Sequence, residues 1–304
     1  MDTVALGVEI GGTKLQLVLG NRRGELITRC RGQVEPTRGA DGILEWLAQA
    51  APAFLSANAE MPCDRIGVGF GGPVDSETGR VLVSHQVAGW EGIELKRWFE
   101  ERFQLPVTVA NDSNAAGWAE FCLGAGQGCR NFAYMNIGSG IGGALVLNGR
   151  LYDGQGRGAA EFGHTYVPDW TSPHPGAAVK LEQLCSGWAI ERRLRRQGHY
   201  GPDPTCVVLG QRARHGDAAA LTEIDNIARS IAVALANVVA MVHPEKVALG
   251  GGVALMGDVL LDAVRRHTDD LAFGPYKGRY EVVSCALQED VVPTGAVLLS
   301  FAQV

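Results

Sequence analysis

A strand, a glycine turn and a second strand in VEIGGTKLQLVLGNRRGEL return as MNIGSGIGGALVLNGRLY about 127 residues later, with Gly138 standing where Gly11 stands. A period that long implies duplicated domains, since a solenoid would repeat every ~20–50 residues. The length of 304 residues suits two domains at roughly 150 residues each. Around the two turns, strands and helices alternate. Strands are expected at Val4–Ile10, 15–19, 25–30, 65–70, 106–110, 131–137, 144–147, 246–249 and 280–285. Helices are expected at 39–60, 95–103, 114–123, 182–196, 217–242, 255–267 and 295–302. The class is α/β in two similar halves. No Pro/Ser-rich linker separates them, which points to a packed cleft between the halves.

Composition narrows the function. With 46% hydrophobic and 20% charged residues, the chain can bury a sizeable core, and disorder is excluded as its main state. Lys plus Arg number 27 against 33 Asp plus Glu, a net charge of −6, the wrong balance for a general nucleic-acid binder. The first residues show neither a basic n-region nor a small-residue cleavage pattern, so no secretory signal is expected. The longest nearly uncharged helical stretch, Ile231 to Val242, is shorter than the ~20 residues that span a bilayer, and no membrane partner is expected. Seven dispersed cysteines, never in a CxxC pair, read as reduced, mostly buried thiols of a cytoplasmic protein.

Glycine supplies 41 residues, nearly twice its usual ~7% share, and tight turns or close backbone approach to a ligand would use it. Gly138-x-Gly140-x-x-Gly143 follows a strand, as the dinucleotide fingerprint does. That motif must open a helix whose N-terminus holds the pyrophosphate. Here it runs into Ala144–Leu147 and the hairpin turn Asn148-Gly149, so the Rossmann reading fails. Neither turn carries the P-loop pattern. Two β-hairpins remain, whose turns expose consecutive backbone N–H groups, a nest for anions such as phosphate. Thr13 and Ser139 could add hydroxyl donors. A single such turn could be a plain hairpin; two matching ones favour phosphate.

Glu9-Ile10-Gly11-Gly12-Thr13-Lys14, Gly71-Gly72-Pro73-Val74-Asp75 and Asn111-Asp112-Ser113-Asn114-Ala115-Ala116 appear in that order. Ile137–Gly143, Glu161-Phe162-Gly163-His164 and Gly250-Gly251-Gly252-Val253 follow. Together these segments resemble the ROK family of sugar kinases over nearly the whole chain. The resemblance implies the actin/hexokinase/Hsp70-like fold: two duplicated ribonuclease-H-like α/β domains around a central cleft. The smaller N-terminal domain would be 1–113 plus 293–304, the larger 114–292. It further implies ATP-dependent phosphorylation of a hexose, glucose first, with fructose, mannose and N-acetylhexosamines open. ATP and Mg²⁺ are the implied cofactors, and a homodimer the implied assembly.

Residue by residue, the resemblance makes Asp112 the general base that takes the proton from the attacking sugar hydroxyl. Its plainer reading is an N-cap of the following helix, a task Ser113 could fill instead. Asn111, Glu161, His164 and Glu182 match sugar-binding positions; an amide such as Asn111 can both donate to and accept from a pair of hydroxyls. A solvated Glu161, a structural His164 and a helix-start Glu182 are the plain alternatives. Gly72 and Pro73 would supply backbone beside the sugar. Gly11, Gly12, Thr13 and Lys14, with Gly138, Ser139 and Gly140, would hold the ATP phosphates. Gly251 and Gly252 would flank the adenosine, and Mg²⁺ would ride on the phosphates, reached by carboxylates through water.

Two departures from the family pattern stand out. Many members carry Cys-x-Cys-Gly-x-x-Gly-Cys just before the Glu-containing helix, a zinc box. Thr165 to Leu181 has no cysteine, and a structural zinc wants four N/S ligands, so no zinc is expected. His164 then needs another partner, and Pro168, Pro173 and Pro175 could stiffen the loop. The second departure is Glu9, where the family usually has Asp: the charge stays and the reach grows by one methylene. The alternative function is therefore a sugar or nucleotide sensor that keeps the fold without turnover. A repressor is disfavoured, because the chain opens on the first strand with no helix-turn-helix ahead of it.

Overall fold

The computed structural model describes residues 3–302 apart from His85, Pro175 and Gln288. The chain divides into two compact units, Met1–Gly124 with Leu151–Ala159 and Leu287–Val304, and Ala125–Arg150 with Ala160–Ala286.

In the first unit β1 (Val4–Ile10), β2 (Lys14–Asn21) and β3 (Leu26–Gln33) run antiparallel. β1 and β2 are covered on both faces, so they read as nearly unbroken apolar runs. Helix α1 (Gly39–Ser56) buries Ile43, Leu47, Ala51 and Phe54 on one stripe. It stops short of the expected Glu60, because Asn58 turns back to donate its amide to the Phe54 carbonyl. Strand β4 (Cys63–Phe70) then lies parallel to β1. A short ribbon, β5 (Val74–Asp75) with β6 (Arg80–Val81), leads to α2 (Leu95–Phe103). β7 (Val107–Asn111) completes the sheet beside β4 and runs straight into α3 (Asp112–Leu123). The strand order is β3-β2-β1-β4-β7.

The second unit repeats this plan with β8 (Phe132–Ile137), β9 (Ile141–Leu147) and β10 (Arg150–Tyr152). A ribbon of β11 (Tyr166–Pro168) and β12 (Ala178–Lys180) precedes α4 (Leu181–Cys185) and α5 (Gly187–Gln197). The single helix expected over 182–196 is thus two. Ser186 is extended between them, and its hydroxyl caps α5 by accepting from the Ala189 N–H. Helices α6 (Cys206–Arg214) and α7 (Ala218–Val242) follow, then β13 (Lys246–Gly250), α8 (Asp258–Leu271) and β14 (Glu281–Ser284). α8 starts at Asp258 rather than 255 because Gly257, at φ +76°, breaks the chain direction. The order β10-β9-β8-β13-β14 matches the first sheet strand for strand. Among the described residues α7 is long and apolar enough to cross a membrane, yet 61% of its apolar window is buried. It serves as the central core helix of its unit.

The chain returns to the first unit as α9 (Val291–Phe301). Pro293 sits in its first turn, where no N–H partner is required, so the helix begins before the expected Gly295. α9 lies so close to α3 that a Cβ on Gly295 would sit 1.8 Å from the Ala115 carbonyl oxygen. That contact ties α3 and 287–304 to the first unit. The first boundary therefore falls after Gly124, not at 113, and the last at Leu287, not 293. None of the seven cysteines is in a disulfide; Cys185 and Cys206 are buried, the other five half-buried. Burial pushes the Cys185 and Cys206 thiols up to about 12, which keeps them protonated and inert.

Candidate active site

In the first unit the end of β7 delivers Asn111 and Asp112. Asn111, not Ser113, caps α3: its Oδ1 accepts from the N–H groups of Ser113 (2.9 Å) and Asn114 (3.2 Å). Such a cap is worth about 1 kcal/mol. Its Nδ2 donates to the Gly72 carbonyl at 3.0 Å, pinning the Gly71-Gly72-Pro73 strip beside the helix start. Both acceptor lone pairs are thus engaged, and one amide N–H is left for a ligand, fewer contacts than a hydroxyl pair would need. Asp112 Oδ1 accepts from the Ser113 N–H at 2.7 Å, which fixes the carboxylate. Oδ2 faces the strip, lying 3.6 Å from where a Cβ on Gly71 would be.

The turn after β1 spans four residues, because Ile10 pairs with Leu15 and the Gly11 N–H donates to the Lys14 carbonyl at 3.1 Å. The N–H groups of Gly12 and Thr13 donate to no described residue. A Cβ on Gly12 would meet the exposed Gln86 side chain, its amide oxygen at 1.7 Å, so Gln86 would have to move aside. Glu9 pairs with Lys14 at 3.1 Å. Burial pushes the Glu9 carboxyl up, Lys14 pulls it back, and the charges of Asp112 and Asp290 push it further up. Asp290 is in turn held by Arg29 at 2.8 Å and by the wholly buried Gln16 at 3.0 Å. Gln16 also accepts from Arg31 at 3.0 Å. Sequence reading missed this network; its one signal was a Gln inside a strand otherwise apolar on both faces.

In the second unit the matching turn is one residue shorter. Ile137 pairs with Ile141, and the Gly138 N–H donates to the Gly140 carbonyl at 2.9 Å. The Ser139 and Gly140 N–H groups donate to no described residue. Glu182, on α4, braces this turn, its Oε2 accepting from the Ile141 N–H at 2.7 Å. A Cβ on Gly140 would lie 2.7 Å from the same oxygen. Glu182 thus has a bond inside its own unit that the sugar-contact reading did not foresee, with Oε1 left for a ligand. The start of α5 adds a second brace, the Gly187 N–H to the Gly138 carbonyl at 2.7 Å. Gly251, at φ +84°, packs its backbone against Asn136 and Ile137, whereas a Cβ on Gly252 would meet nothing within 4 Å. That open face is where a nucleoside could approach.

Glu161 is exposed at the apex of an inverse γ-turn (φ −73°, ψ 62°), closed by the Phe162 N–H on the Ala160 carbonyl at 2.7 Å. Ala160 is itself left-handed at φ +64°. His164 is exposed, and its Nδ1 lies 3.0 Å from the Lys180 ammonium. A zinc ion does not fit this segment: it has no cysteine, and Nδ1 of His164 already faces a cation. Of the three loop prolines, Pro168 ends β11 and Pro173 lies in the loop, while Pro175 falls outside the described residues.

A model of the family described as ROK matches residues 5–302. The glucokinase of Halalkalibacterium halodurans is 32% identical, over 89% of this chain and 87% of that protein. The kanosamine kinase of Amycolatopsis mediterranei is 34% identical, over 82% of this chain and 80% of its own length. The crystal structure of a ROK family glucokinase from Streptomyces griseus, in complex with glucose and AMPPNP, matches with a TM-score of 0.80. That protein is 29% identical, and the match covers 98% of this chain and 99% of that one. With a duplicated sheet of one strand order and a family match over nearly its whole length, the chain belongs to the ROK family.

Proposed function

We propose that this protein transfers the γ-phosphate of Mg²⁺-ATP to a hydroxyl of a hexose, glucose first, with Asp112 as general base. The observation that carries the reading is the fixed carboxylate at the start of α3. One oxygen is bonded to the Ser113 N–H, and the other lies along the Gly71–Gly72 strip that Asn111 pins. A carboxylate so held can accept a proton as the hydroxyl attacks, and phosphoryl transfer asks mainly for this kind of positioning. The remaining N–H of Asn111 and the backbone of Gly72 and Pro73 orient the sugar, joined by Glu161, His164 and Oε1 of Glu182. The unclaimed N–H groups of Gly12, Thr13, Ser139 and Gly140 suit phosphate oxygens, and the open side of Gly252 suits the adenosine. Glucose is favoured by the glucokinase relatives; the kanosamine kinase keeps amino sugars in the panel.

The test is sugar-dependent ADP release across a panel of hexoses and amino hexoses with Mg²⁺-ATP. Turnover on one of them names the substrate. The sensor reading has one observation in its favour, that Glu9 is already paired with Lys14. It gains if no sugar is turned over while sugar and nucleotide still bind by calorimetry.

A further inference from the structure

We propose that Lys180 is the positioning residue for His164: its ammonium fixes the tautomer and orientation of the ring that is to meet the sugar. The inference rests on the sugar-kinase reading for its consequence, and on geometry for its content. The Lys180 Nζ and His164 Nδ1 are 3.0 Å apart. An ammonium offers donors and no acceptor, so the nitrogen it faces carries the lone pair. In its neutral form the ring then carries its proton on Nε2. A doubly protonated ring would set two cations against each other with no acceptor between them.

The backbone keeps the two side chains in reach. In the β11–β12 ribbon Tyr166 pairs with Lys180, and one step further on the Leu181 N–H donates to the Thr165 carbonyl at 2.9 Å. His164 and Lys180 are thus diagonal neighbours, a separation long side chains bridge. Lys180 also directly precedes Leu181 and Glu182, and so stands where the resemblance would put the last cysteine of the zinc box. Here a fixed positive charge occupies the Nδ1 side of the ring, and Nε2–H is left as a donor for a hydroxyl oxygen. The same short stretch sends Glu182 to the Ile141 N–H. One ribbon end therefore orients the sugar-side ring and braces the phosphate turn.

The experiment pairs nitrogen NMR of the His164 ring with kinetics on the hexose that the wild type turns over best. At pH 8 the wild-type ring should show Nδ1 unprotonated and Nε2 protonated. Lys180→Met should give a mixture of tautomers and raise the sugar KM about 10-fold, with kcat and the ATP KM within about threefold. Lys180→Arg, which keeps the donor, should restore the sugar KM to within about threefold of wild type. Ring nitrogen shifts and a sugar KM unchanged in Lys180→Met would overturn the proposal. A wild type inactive on every hexose would sink the kinase reading, and the ring spectrum would still decide the role of Lys180.

Discussion

The turn after β1 and the turn after β8 stand at the same point of sheets with the same strand order, and they are built differently. The first spans four residues and is flanked by charge: the Glu9–Lys14 pair, with Asp112 and Asp290 close enough to raise the Glu9 carboxyl. The second spans three residues and has uncharged Asn136 where the first has Glu9. It is braced from below by Glu182 on the Ile141 N–H and by the Gly187 N–H on the Gly138 carbonyl. The first turn is tied to the end of β3 by the Val34 N–H on the Thr13 carbonyl at 3.1 Å, and beside Gly12 lies the exposed Gln86 amide, which makes no hydrogen bond to a described residue. Duplication supplied two equivalent hairpins. What flanks them differs: a charged pair at the first turn, hydrogen bonds with α4 and α5 at the second.

Between the two turns, the largest effect should come from removing the side chain that contacts each. Glu182→Ala removes the acceptor of the Ile141 N–H and should raise the ATP KM about 10-fold, the scale of one lost charge-assisted hydrogen bond. Gln86→Ala, which removes a mere cover, should change it less than about twofold. If Glu182→Ala moved only the sugar KM, the brace would be irrelevant and the contrast between the turns would fail.

A second test concerns the charge at the first turn. Lys14→Met removes the partner that pulls the Glu9 carboxyl down, so its titration midpoint should climb further above its ordinary 4.5. A raised carboxyl binds its proton more readily in the folded state, so the stability it lends falls as pH rises from 4.5 upward. Urea unfolding should therefore find a larger gap between variant and wild type at pH 7 than at pH 5. An equal gap would mean that Glu9 and Lys14 do not sense each other. The smallest effect belongs to Ala160, left-handed at φ +64° just before Glu161. Ala160→Gly should relieve strain and stabilise the protein by about 1 kcal/mol.

The repeat was legible because it lies in local patterns: apolar runs, glycine turns and polar hairpin ends recur in order, and two matching sheets follow. The place of Asp112 at the end of an apolar strand was legible in the pattern, whereas a role for it as base came from the family resemblance alone. Less visible were contacts set by tertiary packing. Ser186 splits a stretch that reads as one helix, because an isolated Ser carries no break signal until its hydroxyl finds the Ala189 N–H. Asn111 reads as a ligand contact, yet capping and the Gly72 carbonyl claim most of its amide. The three-residue strands of the β11–β12 ribbon are too short for periodicity to show, and with them the meeting of His164 and Lys180 stays hidden. Gln16 meets Asp290 across 274 residues, a separation local patterning does not reach.

The central claim is that the carboxylate fixed at the start of α3 takes the proton in sugar phosphorylation. It is tested most directly by Asp112→Asn on the best hexose of the panel. Asparagine keeps the shape and the bond to the Ser113 N–H but cannot serve as the base. kcat should fall about 1,000-fold, within the range such bases supply, while the ATP KM and sugar binding by calorimetry stay within about threefold. A variant that turns over at the wild-type rate would contradict the account.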